Sequence, residues 1–176
     1  KKKKKGDMLW LAKSDNQQIK LELETVDLSH EISELIDFFS AVSQDEIVDI
    51  QLTGKPVFVQ ADRSLLKRAI SNLLSNAIRY AGENKTVTIS MNEDIERDRI
   101  KINVSNPGAA INKDHLPRLF DRFYRAEPAR DRHKDGAGLG LAIVRSIMLC
   151  HGGNITVHSA SDMTTFTIEL PRQPLT

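Results

Sequence analysis

The stretch Asn72-Leu73-Leu74-Ser75-Asn76-Ala77-Ile78-Arg79-Tyr80 decides how this chain is read. It lies in a segment, 62–81, where Leu65, Leu66, Ala69, Ile70, Leu73, Leu74, Ala77 and Ile78 recur at three- and four-residue steps, the period of a helix with one buried stripe. Asn72 and Asn76 are one four-residue step apart, so both stand on one face beside that stripe, and Arg79 and Tyr80 carry the face a turn further. A lone Asn in a helix reads as a turn residue or a solvent-facing one, because its helix propensity is poor. A pair on one ridge offers amide oxygens to a hard divalent cation.

Two glycine clusters follow, Asn106-Pro107-Gly108 and Gly136-Ala137-Gly138-Leu139-Gly140. The second runs into Leu141-Ala142-Ile143-Val144-Arg145-Ser146-Ile147-Met148, an apolar period that predicts a helix beginning near Gly138 or Gly140. Free N–H groups and the positive end of the helix dipole favour an anion there, and glycines let a phosphate approach the backbone. The Walker loop needs Lys then Ser or Thr after its last glycine, and the dinucleotide fingerprint needs Gly-x-Gly-x-x-Gly; neither fits this Gly-x-Gly-x-Gly run. Alone, the run is as often a plain loop-to-helix joint. In order behind the asparagine pair, it reads as the phosphate end of an ATP–magnesium site.

Around these motifs the patterning predicts a helix over 28–44, capped by Asp27 or Ser29, short strands near 47–52 and 56–60, and the motif helix opened by Asp62. Thr86 to Met91 and Arg99 to Val104 alternate polar with apolar, joined by a charged turn at 93–98. A helix over about 138–151 and strands at 154–159 and 164–170 complete the order. The fold class is α+β: a two-layer α/β sandwich, a mixed sheet of about five strands packed on about three helices, with water on its other face.

These pieces carry a resemblance. The chain resembles, over about residues 25–172, the catalytic and ATP-binding domain of sensor histidine kinases, with the Bergerat-type fold of the gyrase–chaperone–kinase–mismatch-repair superfamily. Asn72 to Tyr80 resembles its asparagine box, Ser105 to Ile111 its first glycine box, Leu119-Phe120-Asp121-Arg122-Phe123-Tyr124-Arg125 its phenylalanine box, Gly136 to Ile143 its second glycine box, and Gly152 to Pro171 its closing strand pair. The run Leu116 to Arg130 and the Ser-Asn-Pro-Gly variant at 105–108 are similar to the copper- and silver-responsive sensors of enteric bacteria, which implies heavy-metal sensing by the parent protein.

The resemblance implies roles. Asn76 would meet magnesium, Asn72 would stand one turn earlier, Arg79 would face phosphate, and Tyr80 would lie along the adenine; Asn72, Asn76 and Arg79 are the expected catalytic residues. Asn106, Gly108, Ile111, Phe120, Arg125, Arg130, Gly136, Gly138, Leu139, Gly140 and Leu141 would complete the nucleotide site. Where the family has an Asp that accepts from the adenine amino group, this chain has Asn106, which can accept the same bond without charge assistance. Superfamily hydrolases place a glutamate at the Asn72 position to activate water; an amide is no general base, which implies transfer rather than hydrolysis. The acceptor would be a histidine on the dimerisation domain of the same or a partner protomer, which would then phosphorylate a response regulator. The charged segment between Tyr124 and Gly136 reads as a lid over the triphosphate. Phe120, Phe123 and Tyr124 would either anchor that lid to the core or face the helix bearing the phosphoacceptor.

No histidine here has the phosphoacceptor motif. His30-Glu31-Ile32 is followed by Ser33-Glu34-Leu35 within an apolar helical stripe and reads as packing helix. A nucleotide-binding regulatory domain without phosphotransfer is the alternative reading. Residues 1–24 read as a tag-like lysine run, the end of a dimerisation helix and a linker, and 173–176 as a tail. Without Lys1 to Lys5 the charge balance turns acidic, which argues against nucleic-acid binding. Lone Cys150, in the apolar run after Ile147, excludes an internal disulfide and reads as a small core residue in a cytoplasmic domain. No 18-residue apolar run is present, and the membrane anchor and homodimer implied by the resemblance would belong to the parent protein of the inner membrane.

Overall fold

The computed structural model describes residues 2–16, 18–42, 49–81, 86–126 and 138–173. In chain order the elements are α1 (Lys2–Asp15), β1 (Leu23–Asp27), α2 (Leu28–Val42), β2 (Asp49–Thr53), β3 (Phe58–Asp62), α3 (Arg63–Ala81), β4 (Thr86–Asp94), β5 (Arg99–Pro107), a 3₁₀ turn at Leu116–Arg118, α4 (Gly140–Cys150), β6 (Asn154–Ala160) and β7 (Met163–Pro171). Five strands form one mixed sheet in the order β2-β4-β5-β7-β6, with β2 parallel to β4 and every other pair antiparallel.

Strand alternation separates the two faces of that sheet. Val87, Ile89, Met91, Ile100, Ile102, Val104, Phe166, Ile168 and Leu170 are buried and share one core with Leu66, Ile70, Leu73 and Leu74 of α3 and Ile143 and Ile147 of α4. Burying one such side chain contributes about 1.5–3 kcal/mol, so the sheet and the two helices form a single block. On the opposite face Thr167 Oγ1 donates to Asn103 Oδ1 at 2.7 Å, Asn103 Nδ2 donates to Ser90 Oγ at 3.1 Å, and the Ser105 and Thr165 hydroxyls share a bond of 2.8 Å. The two-layer α+β sandwich read from the sequence is present, with its helices on one side.

Asp62 opens α3 as expected, accepting from the Leu65 N–H at 3.1 Å and from Ser64 Oγ at 2.9 Å, and its second oxygen accepts from the Glu22 N–H at 3.1 Å. Its own N–H donates to Nε2 of buried His151 at 3.0 Å, while His151 Nδ1 lies 2.8 Å from the Ile147 carbonyl. One ring nitrogen must accept and the other donate, so the ring is neutral and pins the end of α4 to the start of α3. Burial pushes the His151 imidazole below its ordinary range, outweighing the Ile147 carbonyl and the Asp62 charge. For Asp62, burial pushes the carboxyl up, but the Glu22 and Leu65 N–H groups, Ser64 and His151 together hold it below the usual range.

The unfolded chain binds a proton on His151 before the folded one does, so the stability from neutral His151 is complete above about pH 6.5 and declines as pH falls toward the lowered folded value. The Asp62 contribution is lost only further down, below about pH 3.8. Urea midpoints are expected to fall between pH 7.5 and 5.5, with a His151 slope of at most about 1.4 kcal/mol per pH unit. His151→Gln, whose amide oxygen can accept from the Asp62 N–H, should flatten that slope.

Several elements depart from the expectation. The strand expected at 56–60 is β3, and it leaves the main sheet to pair antiparallel with β1, an unexpected strand that spans the boundary read between the linker at 1–24 and the domain from 25. Leu21-Glu22-Leu23-Glu24 alternates, yet Leu23 and Phe58 are exposed and Val26, Val59 and Ala61 carry the burial, so the apolar pattern marks the solvent side of this ribbon. The cap of α2 is Asp27, whose Oδ1 accepts from the His30 N–H at 3.2 Å. A fourth helix, α1, lies on the domain: Leu11 is buried, Asp7 pairs with Arg68 at 2.6 Å, and the Arg68 guanidinium sits 5.0 Å from the centre of the Trp10 ring. Cys150 is half-buried, its Sγ 3.5 Å from Ser14 Oγ on α1, because it faces that helix instead of the sheet core.

The β6–β7 hairpin turns without glycine. Ser161 and Asp162 take φ values of 50° and 58°, the left-handed pair that Asn-Gly adopts with least strain. The double substitution Ser161→Asn with Asp162→Gly is expected to add about 1 kcal/mol of stability, read as a higher urea midpoint at unchanged slope.

Candidate functional site

The motif helix delivers its polar ridge to the front of the sandwich. Asn72, Asn76 and Arg79 are half-buried and Tyr80 is exposed, while Leu73, Leu74, Ala77 and Ile78 hold the helix to the core. Asn72 Nδ2 donates to the Gly140 carbonyl at 3.3 Å, so the asparagine ridge and the start of α4 touch directly. A Cβ on Gly140 would stand 4.0 Å from Asn72 Cγ.

Gly140 is the first residue of α4, and no side chain caps that end: Leu139 occupies the cap position without a side-chain hydrogen bond, and the first turn holds no acid. The bond from Ile143 N–H to Leu139 O begins the helix ladder. Leu139, Ala142, Ile143 and Val144 are buried, so the helix start is anchored from below. An uncapped helix end beside neutral amides can hold a phosphate.

Gly138 takes φ +68°, and a Cβ there would lie 2.9 Å from both Cα and the carbonyl carbon of Phe123. The Phe123 N–H donates to the Gly138 carbonyl at 2.9 Å, and Phe123 is itself left-handed at φ 62°. The phenylalanine box thus closes onto the second glycine box backbone to backbone. Its side chains differ in burial: Phe120 packs edge-on to Phe166 at 6.3 Å, against the core, whereas Phe123 is exposed with Lys4 of α1 5.5 Å from its ring centre. Tyr124 bonds His115 Nδ1 and lies under Arg118, whose guanidinium is 4.3 Å from the ring centre.

The first glycine box ends β5. Asn106 is buried opposite Thr164, and its Nδ2 donates to the Pro107 carbonyl at 3.0 Å. Gly108, at φ +148°, lets the chain pass the end of α3, where a Cβ would meet the Tyr80 carbonyl at 2.8 Å. Ile111 is half-buried, its N–H donating to Ser159 Oγ at 2.9 Å. Leu141 is half-buried on the first turn of α4, and Arg125 is exposed. Arg130, Gly136 and most of the expected lid lie outside the described residues. Sequence reasoning did not find the roles of His151 and Ser159, each legible only as a polar residue of no motif.

A family model described as histidine kinase-, DNA gyrase B- and HSP90-like ATPase matches residues 61–174. The sensor histidine kinase CusS of Escherichia coli (strain K12) is 42% identical over 166 residues, covering 94% of this chain and 34% of that protein. The probable sensor kinase SilS of Salmonella typhimurium is 39% identical over 171 residues, covering 95% and 34%. The chain therefore spans about a third of the length of these curated relatives. Among solved structures, the nucleotide-free catalytic domain of the histidine kinase ThkA has a TM-score of 0.75 at 26% identity, covering 88% of this chain and 98% of that one.

Proposed function

Because the chain belongs to the histidine kinase-, DNA gyrase B- and HSP90-like ATPase family, we propose that it binds ATP with magnesium and transfers the γ-phosphate to a histidine carried by a separate helical domain. The observation that carries this reading is the bond from Asn72 to the Gly140 carbonyl, which sets the amide ridge of α3 beside the uncapped start of α4. Phosphate on the helix end, magnesium at the Asn76 carbonyl and adenine between Tyr80 and Asn106 follow one path along the front of the domain.

The donor set fits magnesium. Among the described residues no three carboxylate, imidazole or thiol side chains converge on a metal position, so a cation on this ridge would take most ligands from phosphate and water, as magnesium does with nucleotides. When bound, it would neutralise phosphate charge; the chain's own part is to position the triphosphate, with Arg79 and Arg125 supplying further positive charge. Asn72 has no proton-accepting group to activate water, which favours transfer to an imidazole over hydrolysis.

The similarity to CusS and SilS supports a parent protein that is a sensor kinase, with heavy-metal sensing, a response regulator as the next acceptor, membrane anchoring and a homodimer as parts of the proposal. Residues 1–24 would then lead from a dimerisation helix into the catalytic domain. No helix among the described residues is long and apolar enough to cross a membrane.

Mixing the chain with the helical domain of its parent and labelled ATP tests the reading. The expected product is a label on that domain that is lost in acid and kept in base, the behaviour of phosphohistidine. Nucleotide binding without transfer would favour the regulatory alternative, and acid-stable label would point to a hydroxyl acceptor.

A further inference from the structure

A groove between β1, α2 and the start of α3 is floored by a buried carboxylate that the fold leaves short of donors. Glu31 is 4% exposed, and among the described residues no hydrogen bond reaches its Oε2. Lys67 Nζ stands 3.6 Å from that oxygen, and Arg63 Nε stands 3.5 Å from Oε1. Both cations have nearer partners: Lys67 donates to Glu34 at 2.8 Å, and Arg63 Nε lies 3.2 Å from Glu24. The bond from Lys67 holds the Glu34 carboxyl below the usual carboxylate range. Taking a carboxylate out of water is costly unless hydrogen bonds satisfy it, and charges 3.5 Å away do not.

The groove has a volume of about 610 Å³, the size of a ligand cleft. Asp62 lines it but is spent on the α3 cap, with both oxygens bonded. Glu24 and Glu34 stand half exposed on either side of Glu31; the first shares Arg63 with it and the second shares Lys67. The three carboxylates therefore lie within reach of one multidentate group, and set against two cations they leave one negative charge uncompensated. Exposed Leu23 adds an apolar surface to the lining. Among the described residues these acids do not converge as metal ligands, and their spacing suits a larger cation.

We infer that this groove binds a guanidinium group, held against the Glu31 carboxylate with Glu24 and Glu34 closing over its remaining N–H groups. An ammonium is a point charge of the kind Lys67 already supplies. A guanidinium is flat, more weakly hydrated and presents paired donors that match a carboxylate edge to edge, so it brings to Glu31 the hydrogen bonds that its neighbours do not. The inference does not depend on the nucleotide reading: Lys67 and Asn76 are nine residues apart on α3, about 14 Å along its axis.

Amide NMR of the unaltered chain, titrated with N-acetyl-arginine amide, is expected to show saturable shifts at residues 22–34 and 62–67. N-acetyl-lysine amide, of equal charge, should bind at least about fivefold more weakly. Glu31→Gln keeps the shape of the side chain, removes its charge and should weaken the arginine probe at least about tenfold. The double variant Glu24→Gln with Glu34→Gln alters only half-exposed groups, whose ion pairs add little to stability, and should weaken it at least about threefold. Free L-arginine is the second arm. Tighter binding of the blocked probe assigns the site to an arginine side chain of a partner protein, and tighter binding of the free amino acid assigns it to the small molecule. Absence of saturable shifts, equal binding of the lysine probe, or an affinity that neither variant lowers would overturn the inference and leave the cluster as a latch between α2 and α3.

Discussion

Alanine at position 76 is expected to lower the rate of phosphoryl transfer by about 10²–10³-fold, about 2.7–4 kcal/mol in barrier height, while leaving the domain as stable as before or slightly more so. The two effects run in opposite directions because Asn76 is half-buried on the polar ridge of α3, beside the core stripe formed by Leu73, Ala77 and their neighbours. Nothing among the described hydrogen bonds uses the Asn76 side chain, and asparagine is a poorer helix former than alanine, so the helix loses no described hydrogen bond and gains up to about 0.7 kcal/mol in propensity. Under the proposed function, transfer would instead depend on a carbonyl at that point to hold the cation against the phosphates. Single-turnover labelling of a supplied histidine domain, run beside urea denaturation, separates the two. Transfer at the original rate would remove Asn76 from the site, and a parallel loss of stability would reassign it to the fold. Asn72→Ala should behave differently, since it also breaks the bond to Gly140.

What the sequence made legible was set by periodicity. The stripe on α3, the alternation on β4 and β5 and the glycine-led start of α4 each bury a continuous apolar face, and each strand or helix falls within a few residues of its expected range. The strand β3 was legible but β1 and its pairing with β3 were not, because the burial of that ribbon rests on Val26, Val59 and Ala61, while the leucine that advertises alternation points to water. His151 looked idle for a similar reason: its partners are a backbone N–H from α3 and a carbonyl one turn back, and neither leaves a mark on side-chain pattern. At the site, the boxes named the residues but not their couplings. That Asn72 reaches the Gly140 carbonyl, or that the 106–108 segment is governed by a turn at 161–162, depends on register between strands far apart in the chain.

Gly138→Ala should weaken nucleotide binding by at least about thirtyfold while changing global stability by less than the local strain it introduces. The added Cβ must occupy a left-handed backbone, which costs about 1–2 kcal/mol, and would stand 2.9 Å from two backbone atoms of Phe123, a contact that no side-chain rotation relieves. Leu139, Ala142, Ile143 and Val144 are buried and hold α4 in place, so the strain has one inexpensive outlet: separation of the Phe123 turn from Gly138, with loss of the 2.9 Å bond between them. That separation opens the phenylalanine box away from the helix end where phosphate would rest, and about 2 kcal/mol diverted from binding amounts to the stated factor. Gly140→Ala is the control. Position 140 is the first helical residue, its Cβ would meet only Asn72 Cγ at an ordinary 4.0 Å, and its conformation is one alanine prefers, so the helix should gain up to about 1 kcal/mol. Calorimetry of both variants with ATP and magnesium decides the matter: if Gly138→Ala keeps the affinity of the unaltered chain, the closure of one box on the other has no part in holding the nucleotide.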